Sequence, residues 1–265
     1  HTDVFSPYFR GASLKERIRY YLAVFLIPKA DCLRVVSERI KNSIISHIAY
    51  RISHVSILPI FTDIKKFLEA KKDPIIEERF RNYDFKMIAV GRFVDKEKNF
   101  SMLIEMMKNF IKICPKAILV IVGDGPDREK YKIQITNHKL KNHVIIEAWR
   151  DDLESFYKSF DLFLLSSNYE GWGRTAIEAT ASGLPIVMTD VGVAGEFIKD
   201  GKNGSIVPVS DKDRFLRSCR DLYLDSEKRK SFISAGYESL KNLRIKSQQE
   251  YLKEYEKSIK LCLRS

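Results

Sequence analysis

A regular alternation of apolar runs and helix-like segments begins near Phe85 and constrains the fold more than any other feature of this chain. Six apolar runs are rich in Ile, Val, Leu and Phe and lack strict alternation with polar residues: Lys86–Val90, Ala117–Val122, Val144–Glu147, Asp161–Leu165, Pro185–Met188 and Ser205–Val207. Such runs are typical of strands covered on both faces. Strands that alternate with helices predict parallel pairing through right-handed crossovers, in an open, doubly wound α/β sheet.

Helices are predicted between these strands and beyond the last one. The predicted segments are Asn99–Ile113, Asp127–His138, Asp152–Ser159, Arg174–Ala181, Val193–Lys199, Asp211–Leu224, Ser226–Leu243 and Ile245–Leu263. Asp211 and Asp225 are suitable N-caps, because an aspartate can accept hydrogen bonds from the free N–H groups of a first turn. A polar stretch, Thr62–Asn82, precedes the first of the six strands.

The first sixty residues predict a smaller, separate α/β piece. A basic and aromatic helix, a strand, a second helix and a second strand follow one another: Leu14–Ile27, Cys32–Val36, Glu38–His47 and Val55–Leu58. The boundary with the main sheet falls near Phe61–Lys65, just beyond a proline that ends the last strand because proline lacks an N–H group. Two strands are too few for a doubly wound sheet, so this piece is predicted to be the second half of a larger domain.

The charge of the chain favours anionic partners. Lys and Arg number 46 against 35 Asp and Glu, which gives a net charge of +11. Residues 1–62 hold nine basic and four acidic side chains, a local charge of +5. Nucleic acid, anionic lipid and phosphorylated ligands all fit this balance, and a generic solubilising surface explains it equally well. No apolar run approaches the ~20 residues of a membrane span.

The four cysteines argue for reduced thiols and against a metal site. Cys32, Cys114, Cys219 and Cys262 lie far apart, and none belongs to a Cys-x-x-Cys pair. Buried, reduced thiols therefore fit better than a disulfide framework or a zinc site, and they indicate the cytosol. The Asp211-Lys-Asp213 run has the D-x-D spelling of metal-dependent transferases, but it directly precedes a helix, where N-capping is the better interpretation.

The segment Asn168–Ala179 combines a glycine-rich turn with two carboxylates, Glu170 and Glu178. Gly171 and Gly173 allow a ligand to approach the backbone closely and allow positive φ angles. The helix that begins near Gly173 presents unpaired N–H groups, which form an anion site. Both acids can face the crevice at the carboxyl ends of the strands and bind hydroxyl groups there. Solvated acids at a helix end are the plain structural alternative.

The same glycines also fit a different ligand. Gly171-x-Gly173-x-x-Ala176 matches the dinucleotide fingerprint, and Asp190 ends the next strand about 20 residues later, so an NAD-binding domain is an alternative. Two features argue against it. Four residues separate the strand from the glycines, and the motif lies in the fourth strand–helix unit after Phe85, whereas the fingerprint belongs to an opening unit.

A second loop between a strand and a helix supplies cations. Gly91-Arg92 follows the first strand of the sheet, and Lys98-Asn99-Phe100 leads into the next helix. Arg92 can hold a diphosphate with its forked guanidinium, and Lys98 can add a point charge. Neutralising a departing diphosphate is a form of preorganised electrostatic catalysis. Ordinary surface cations are the alternative in a chain this basic, and only the combination with the Glu170–Glu178 segment favours a site.

Together these motifs resemble the group 1 family of retaining GT-B glycosyltransferases, over nearly the whole chain. The run Gly91–Phe100 is similar to the family's G-R…K-[GN] donor-phosphate motif. It has one residue more than usual between Arg92 and Lys98, so Lys96 remains an alternative to Lys98. The run from Glu170 to Glu178 resembles the family's E-x7-E motif. Further similar segments are Gly183–Val187, Ala30–Ser37, Ile57–Pro59 and the opening His1-Thr2.

The resemblance implies a two-domain GT-B architecture. Three parts are expected: residues 1–62 as a remnant of the N-terminal, acceptor-side domain, 63–244 as the Rossmann-like donor-binding domain, and 245–265 as a helix that packs back on the N-terminal domain. Because the opening strands of the acceptor-side domain are absent, the chain alone is expected to bind donor without necessarily turning it over.

The resemblance also implies a role for each site residue. His1, Arg92, Lys98 and Glu170 are the implied catalytic residues. Arg92 and Lys98 would bind the diphosphate, Glu170 the sugar hydroxyls and Glu178 the ribose hydroxyls, with His1 beside the sugar. The implied donor-binding set is Gly91, Arg92, Lys98, Trp149, Arg150, Glu170, Gly171, Trp172, Gly173, Arg174, Thr175 and Glu178. Trp172 and Arg174 stand where the family more often has Phe and an aliphatic residue.

By this resemblance, the expected activity is transfer of a hexosyl group from a UDP- or GDP-linked sugar to a glycan or lipid-linked glycan, with retention of configuration. No metal, no cofactor and no nucleic-acid partner is implied. The alternatives are a non-catalytic nucleotide-sugar or NAD-type binding module and a GT-B sugar-nucleotide epimerase. The expected location is cytoplasmic, with peripheral attachment to an anionic inner membrane surface favoured by the basic, aromatic N-terminal piece.

Overall fold

A small parallel sheet forms the N-terminal part of the molecule. The computed structural model describes residues 3–48 and 54–262. Strand β1 (Cys32–Val35) pairs in parallel with β2 (His54–Ile57). The helices of this part are α1 (Pro7–Ala12), α2 (Leu14–Leu26) and α3 (Glu38–Ile48), with a 3-10 turn at Ile27–Lys29.

Six parallel strands form the main sheet, as the continuous apolar runs predicted. They are β3 (Phe85–Val90), β4 (Ala117–Val122), β5 (Val144–Glu147), β6 (Leu162–Leu165), β7 (Ile186–Thr189) and β8 (Ser205–Val207). Their order across the sheet is β5-β4-β3-β6-β7-β8. The chain builds one side of the sheet outward from β3 and then returns to build the other side from β6, which is the predicted doubly wound arrangement.

Both faces of this sheet are buried, which explains why its strands lack polar alternation. Ile88 and Val120 belong to one hydrophobic core, whereas Met87 and Leu119, their neighbours along the strands, belong to the other. Successive strand side chains point to opposite faces, so a strand between two cores needs an apolar residue at every position.

Helices cover both faces of the main sheet. The helices that follow the N-terminal part along the chain are α4 (Ile64–Glu69), α5 (Pro74–Arg79), α6 (Asp95–Lys98), α7 (Phe100–Phe110), α8 (Arg128–Asn137), α9 (Leu153–Tyr157), α10 (Arg174–Ala181), α11 (Lys212–Leu224), α12 (Ser226–Lys241) and α13 (Gln248–Cys262). The short helices α1, α4, α5 and α6 were not predicted, because six residues or fewer show no clear apolar period. Within the two described ranges, no helix has the length and apolarity to cross a bilayer.

The predicted helix over Val193–Lys199 is wrong. This segment consists of turns closed by a bridge between Ala194 and Ile198. Gly195 has a left-handed φ of 79°, which bends the chain out of a helical path. Glu196 then caps α3, since its carboxylate accepts hydrogen bonds from the backbone N–H groups of Glu38 and Arg39 at 3.2 and 2.7 Å.

The N-terminal part and the main sheet share several polar and aromatic contacts. The Arg39 guanidinium donates to the Asp190 carboxylate at 2.5 Å and to the Ala194 carbonyl at 2.9 Å. Helix α13 returns to the N-terminal part, where the Arg34 guanidinium lies 3.9 Å from the centre of the Tyr255 ring. The division at residues 62 and 244 stays a prediction.

The prediction of reduced cysteines is correct at two positions and wrong at a third. Cys114 and Cys219 are free and buried. Cys32, at the start of β1, is disulfide-bonded. Separation along the sequence does not limit how close two sulfur atoms come in space, so the wide spacing of the cysteines was a poor argument for reduced thiols and for the cytosol.

Candidate active site

The candidate site lies where β3 and β6 run side by side at the centre of the sheet. The chain leaves β3 toward one edge of the sheet and leaves β6 toward the other. The loops after these two strands therefore open a crevice at their carboxyl ends, the place where doubly wound sheets bind ligands. The two predicted motifs are these two loops: Gly91–Asn99 after β3 and Ser166–Gly173 after β6.

The loop after β3 is held rigidly by its neighbours. Its single helical turn, α6, ends at Asn99, whose φ of 51° is left-handed. The Asp95 carboxylate accepts hydrogen bonds from the Ser101 backbone N–H at 2.9 Å and from Lys130 at 2.5 Å. Gly123 lies in the loop after β4, where a Cβ atom would lie 1.9 Å from the Gly91 carbonyl oxygen. Only glycine therefore lets the loop after β4 approach the loop after β3 this closely.

Asn168 ties the loop after β6 to the loop after β3. Its backbone N–H donates to the Glu97 carbonyl at 2.8 Å, and its side-chain amide donates to the Lys96 carbonyl at 3.1 Å. The Asn99 side chain in turn donates to Asn168 at 3.2 Å. Because these hydrogen bonds join the two loops directly, the side chains that the loops carry are set at fixed positions relative to each other.

A chain of alternating charges runs through the site. The Lys98 ammonium lies 2.5 Å from a Glu170 oxygen and 3.4 Å from a Glu97 oxygen. Glu97 also binds the Arg92 guanidinium at 2.8 Å. Lys98, Glu97 and Glu170 are largely buried, whereas the Arg92 side chain is 71% exposed. The cations that could hold a diphosphate are therefore already neutralised by carboxylates.

The pKa of Lys98 reflects this surrounding. Burial acts to lower it, since a charged amine loses solvation, but the carboxylates of Glu170 and Glu97 outweigh burial and hold the pKa above its ordinary value. Lys98 is thus a permanent cation. Lys96, the alternative phosphate ligand, faces away and binds Glu16 of α2 at 3.1 Å. The structure brings Lys98, not Lys96, to Glu170.

Glu178 lies in different surroundings from Glu170. It is buried on α10. This helix begins just after Gly173, a glycine in the left-handed conformation with φ 86°. Burial raises its pKa, and the Arg174 guanidinium, 3.1 Å away, only partly offsets this rise. Tyr157, on α9, is fully buried, and its pKa is raised first by burial and then by the Glu178 charge. Glu178 therefore takes up a proton more readily than a solvent-exposed glutamate does.

The remaining predicted donor-binding residues are spread over a wider area. Thr175 and Arg174 form the first turn of α10, with Gly171 in the loop before it. Trp172 is buried and lines a cavity of about 420 Å³ between the N-terminal part and the main sheet. Trp149 and Arg150 follow the edge strand β5, which β4 separates from β3.

Trp149 and Arg150, the two predicted residues after β5, differ in whether they are free to bind a nucleotide base. Trp149 is 58% exposed and open to stacking. Arg150 is engaged, because its guanidinium forks onto the Asp152 carboxylate at 2.8 and 2.6 Å. That hydrogen bonding raises the pKa of Arg150 further, so it stays charged.

A second cavity, of about 310 Å³, adjoins Glu170. Asp3, Arg39, His47 and Asp190 are among the side chains that line it. The carboxylate predicted to bind sugar hydroxyls thus faces a space with further polar groups. His1, the fourth predicted catalytic residue, lies outside the described residues. Within the described ranges, no group of three or more His, Cys, Asp or Glu side chains is placed to hold a metal ion.

Three residues of the site were missed by the sequence reasoning. Glu97 bridges Arg92 and Lys98, and its signal was an acid between two cations in a loop after a strand. Asn168 joins the two loops, but nothing in its sequence context distinguishes it from an ordinary loop amide. Tyr157 belongs to another helix and lies close enough to Glu178 for the Glu178 charge to raise its pKa, a proximity that no sequence spacing indicates.

Comparison with protein families settles the class of this chain. Residues 71–239, well over half of it, match the family model described as "Glycosyl transferases group 1". The chain belongs to this family. The matched range contains both loops of the site and begins after the N-terminal part.

Individual relatives agree with the family assignment. The lipopolysaccharide core biosynthesis glycosyltransferase LpsE of Rhizobium meliloti is 30% identical over 154 residues, which cover 58% of this chain and 44% of LpsE. The UDP-Gal:alpha-D-GlcNAc-diphosphoundecaprenol alpha-1,3-galactosyltransferase of Escherichia coli is 29% identical over 171 residues, 62% of this chain and 44% of that enzyme. This chain thus spans less than half the length of these curated relatives.

The fold is shared with solved glycosyltransferase structures. Anabaena HepE in complex with UDP and glucose superposes with a TM-score of 0.77 over 96% of this chain and 68% of HepE, at 21% identity. The predicted GT-B fold class is therefore confirmed.

Proposed function

We propose that this protein is a glycosyltransferase that moves a hexosyl group from a nucleoside-diphosphate sugar to a hydroxyl of a glycan or lipid-linked glycan, with retention of configuration. The observation that carries the proposal is the cluster of Arg92, Lys98 and Glu170 at the β3–β6 switch point, with Glu178 on the helix that follows. Cations suit the diphosphate of such a donor, and carboxylates suit its hydroxyl groups.

The named relatives favour a UDP-linked donor and a membrane-linked acceptor. The Escherichia coli relative is named for UDP-Gal and a diphosphoundecaprenol-linked acceptor, and another relative is named alpha-monoglucosyldiacylglycerol synthase. The HepE structure contains UDP and glucose. We therefore favour UDP over GDP as the donor nucleotide.

Each site residue has a distinct part in this proposal. Arg92 and Lys98 stabilise the diphosphate as negative charge develops on the leaving group, because they are placed before the reaction begins. Glu170, held by Lys98, accepts hydrogen bonds from the sugar hydroxyls. Glu178, whose pKa is raised, accepts hydrogen bonds from the ribose hydroxyls and can donate one when it is protonated. We assign no protein nucleophile and no metal to the reaction.

Binding of nucleotides separates this proposal from its alternatives. Calorimetry against UDP, GDP, ADP and NAD is expected to show binding of a nucleoside diphosphate and none of NAD. Tight binding of NAD without binding of any nucleoside diphosphate would refute the proposal. An epimerase would release a free sugar epimer when no acceptor is present, and a non-catalytic module would bind donor and never consume it.

Turnover tests the residue roles in the full-length protein. Arg92→Ala and Glu178→Ala are each expected to remove at least ~2 kcal/mol of transition-state stabilisation, about 30-fold in kcat/KM. The matched control is Lys108→Ala, which breaks a surface pair with Glu105 at 3.2 Å. Full turnover by either site variant contradicts the assignment, and so does loss of activity on chelation of divalent metals.

A further inference from the structure

Helix α2 carries its apolar side chains on the outside of the molecule. Leu14, Ile18, Tyr21, Leu22 and Phe25 are between 52 and 72% exposed. Positions i, i+4, i+7, i+8 and i+11 share one face of an α-helix, so these five side chains form a continuous apolar stripe. A surface helix of a soluble protein normally presents the opposite arrangement, with the apolar stripe against the core.

The inner face of α2 is anchored by other contacts. Glu16, the acid of this helix, is buried and binds Lys96 at 3.1 Å. Tyr20 packs edge-to-face against Phe5 with ring centroids 5.9 Å apart, and Ala23 packs against the same core. The helix is therefore anchored in the fold by its inner face, and within residues 3–48 and 54–262 no side chain buries the stripe.

Basic residues flank the stripe on both sides. At about 100° per residue, Lys15 and Arg19 lie on one side of the apolar stripe, and Arg17 lies on the other. All three are exposed. Just beyond the helix, the Lys29 ammonium lies 3.5 Å from the centre of the Phe25 ring. Long basic side chains can extend from the edges of an apolar stripe toward anionic groups while their stems stay against apolar surface.

We propose that the outer face of α2 docks onto an anionic lipid bilayer, with the stripe in the acyl boundary and the flanking cations at the headgroups. A helix of 13 residues is about 20 Å long, too short to span a bilayer but suited to lie in its plane. Aromatic and aliphatic side chains between basic flanks are the pattern of such interfacial helices. A protein partner fits less well, because the exposed face of α2 carries cations and no acid.

Docking in this way would place the bilayer close to the loop after β3, which carries Arg92 and Lys98. Glu16 on the inner face of α2 contacts Lys96, which stands two residues before Lys98 in the loop after β3. The lipid surface and the loop after β3 would therefore lie on opposite sides of α2. This inference does not depend on the proposed reaction, since lipid binding is measured without any donor.

Sedimentation with vesicles tests the proposal on the full-length protein. Binding is expected to vesicles of phosphatidylglycerol mixed with phosphatidylcholine, and to weaken when salt is raised. The triple variant Ile18→Ser/Leu22→Ser/Phe25→Ser is expected to lose roughly tenfold or more in partitioning. Lys15→Gln/Arg17→Gln is expected to lose roughly tenfold on the anionic vesicles only.

A matched control removes equally exposed apolar residues elsewhere. Ile133→Ser/Leu224→Ser alters side chains that are 59 and 66% exposed on α8 and α11, and it is expected to bind like the wild type. Absence of vesicle binding, or equal binding by the α2 triple variant, overturns the proposal. Equal binding to pure phosphatidylcholine overturns its anionic part.

Thermal unfolding without lipid distinguishes a protein partner. If α2 faces lipid, the triple serine variant unfolds at the wild-type temperature, because exposed apolar residues contribute little to stability. A fall of several degrees in the full-length protein would mean that the stripe is packed against another protein segment, and this too overturns the proposal.

Discussion

The two acids of the Glu170–Glu178 segment are eight residues apart and lie in opposite electrostatic surroundings. The Glu170 carboxylate forms an ion pair with the largely buried Lys98 ammonium, 2.5 Å away. Glu178 is buried deeper, and its partner Arg174 is mostly exposed and only partly offsets the effect of burial on its pKa. One half of the site is therefore built from a network of ion pairs, and the other half from a buried carboxyl group whose pKa is raised.

The two halves of the site suit different groups of a ligand. A network of fixed charges suits a diphosphate, whose own charge is large and whose departure must be stabilised. A buried carboxyl group with a raised pKa suits hydroxyl groups, because it accepts hydrogen bonds in both forms and donates one when it is protonated.

Removing Lys98 breaks the charged half. Lys98→Ala leaves Glu97 and Glu170 as neighbouring, largely buried anions without their shared cation, and loss of one partner of a buried pair costs about 3 kcal/mol or more. We expect kcat/KM to fall about 100-fold or more in the full-length protein, and the affinity for UDP to fall with it. Lys108→Ala is the control. Wild-type affinity of Lys98→Ala for UDP, measured by calorimetry, would contradict a charged diphosphate site.

Neutralising Glu178 tests the other half through pH. Its pKa is raised in the folded state, so its favourable contribution is full at low pH and is lost as pH rises through that pKa. Glu178→Gln is permanently neutral and avoids this loss. We expect its Tm to exceed that of the wild type by about 2–4 °C at about pH 8, and to match it at about pH 4.

An exposed acid is the control for this pH experiment. Glu129→Gln alters a surface pair with Lys132 and should leave the difference between the two pH values unchanged. A lower Tm for Glu178→Gln at about pH 8 would show that the Arg174 pair outweighs burial, which reverses the contrast between the two acids.

Glu97 is expected to compete with the donor for Arg92 and Lys98. Glu97→Gln keeps the shape of the side chain but removes its charge, so a diphosphate no longer has to displace a carboxylate. We expect affinity for UDP to rise about fivefold, the equivalent of about 1 kcal/mol for a partly exposed pair. Glu105→Gln is the control. Weaker binding of UDP by Glu97→Gln would mean that Glu97 serves to orient the cations instead.

Removal of the Lys96 side chain is expected to have the smallest effect on the affinity for UDP. Its ammonium points to Glu16, away from Glu170, so Lys96→Ala should change UDP affinity by no more than about twofold. A loss as large as that of Lys98→Ala would show that the donor recruits Lys96, and the diphosphate site would then have to be redrawn around three cations.

The strands could be predicted from sequence because a sheet buried on both faces needs apolar residues at every position. Local composition alone was therefore enough at Ala117–Val122, where prediction and structure coincide. The segment after β7 was predicted wrongly as a helix for the opposite reason. Glu196 acts on α3, 157 residues earlier in the chain, and no local pattern records such a contact.

Prediction of the candidate site from local sequence was limited in the same way. Sequence motifs identified the two loops, because glycines, cations and acids are concentrated in them. The choice between Lys96 and Lys98 could not be made from spacing, since it depends on how one turn of helix ends at the left-handed Asn99. The effect of burial on Glu178 was equally hidden, because Glu178 loses its solvent only in the folded chain.

The placement of the tryptophans gives the protein a built-in optical reporter. The chain contains two, one buried beside the cavity between the two parts and one exposed after the edge strand. Trp172 should emit at short wavelength and resist quenching by acrylamide, whereas Trp149 should emit at long wavelength and be quenched readily. Movement of the two parts relative to each other would expose Trp172 to solvent and shift its emission to longer wavelength. A nucleotide base stacked on Trp149 would quench the fluorescence of Trp149. The two events can therefore be followed separately in one unlabelled sample.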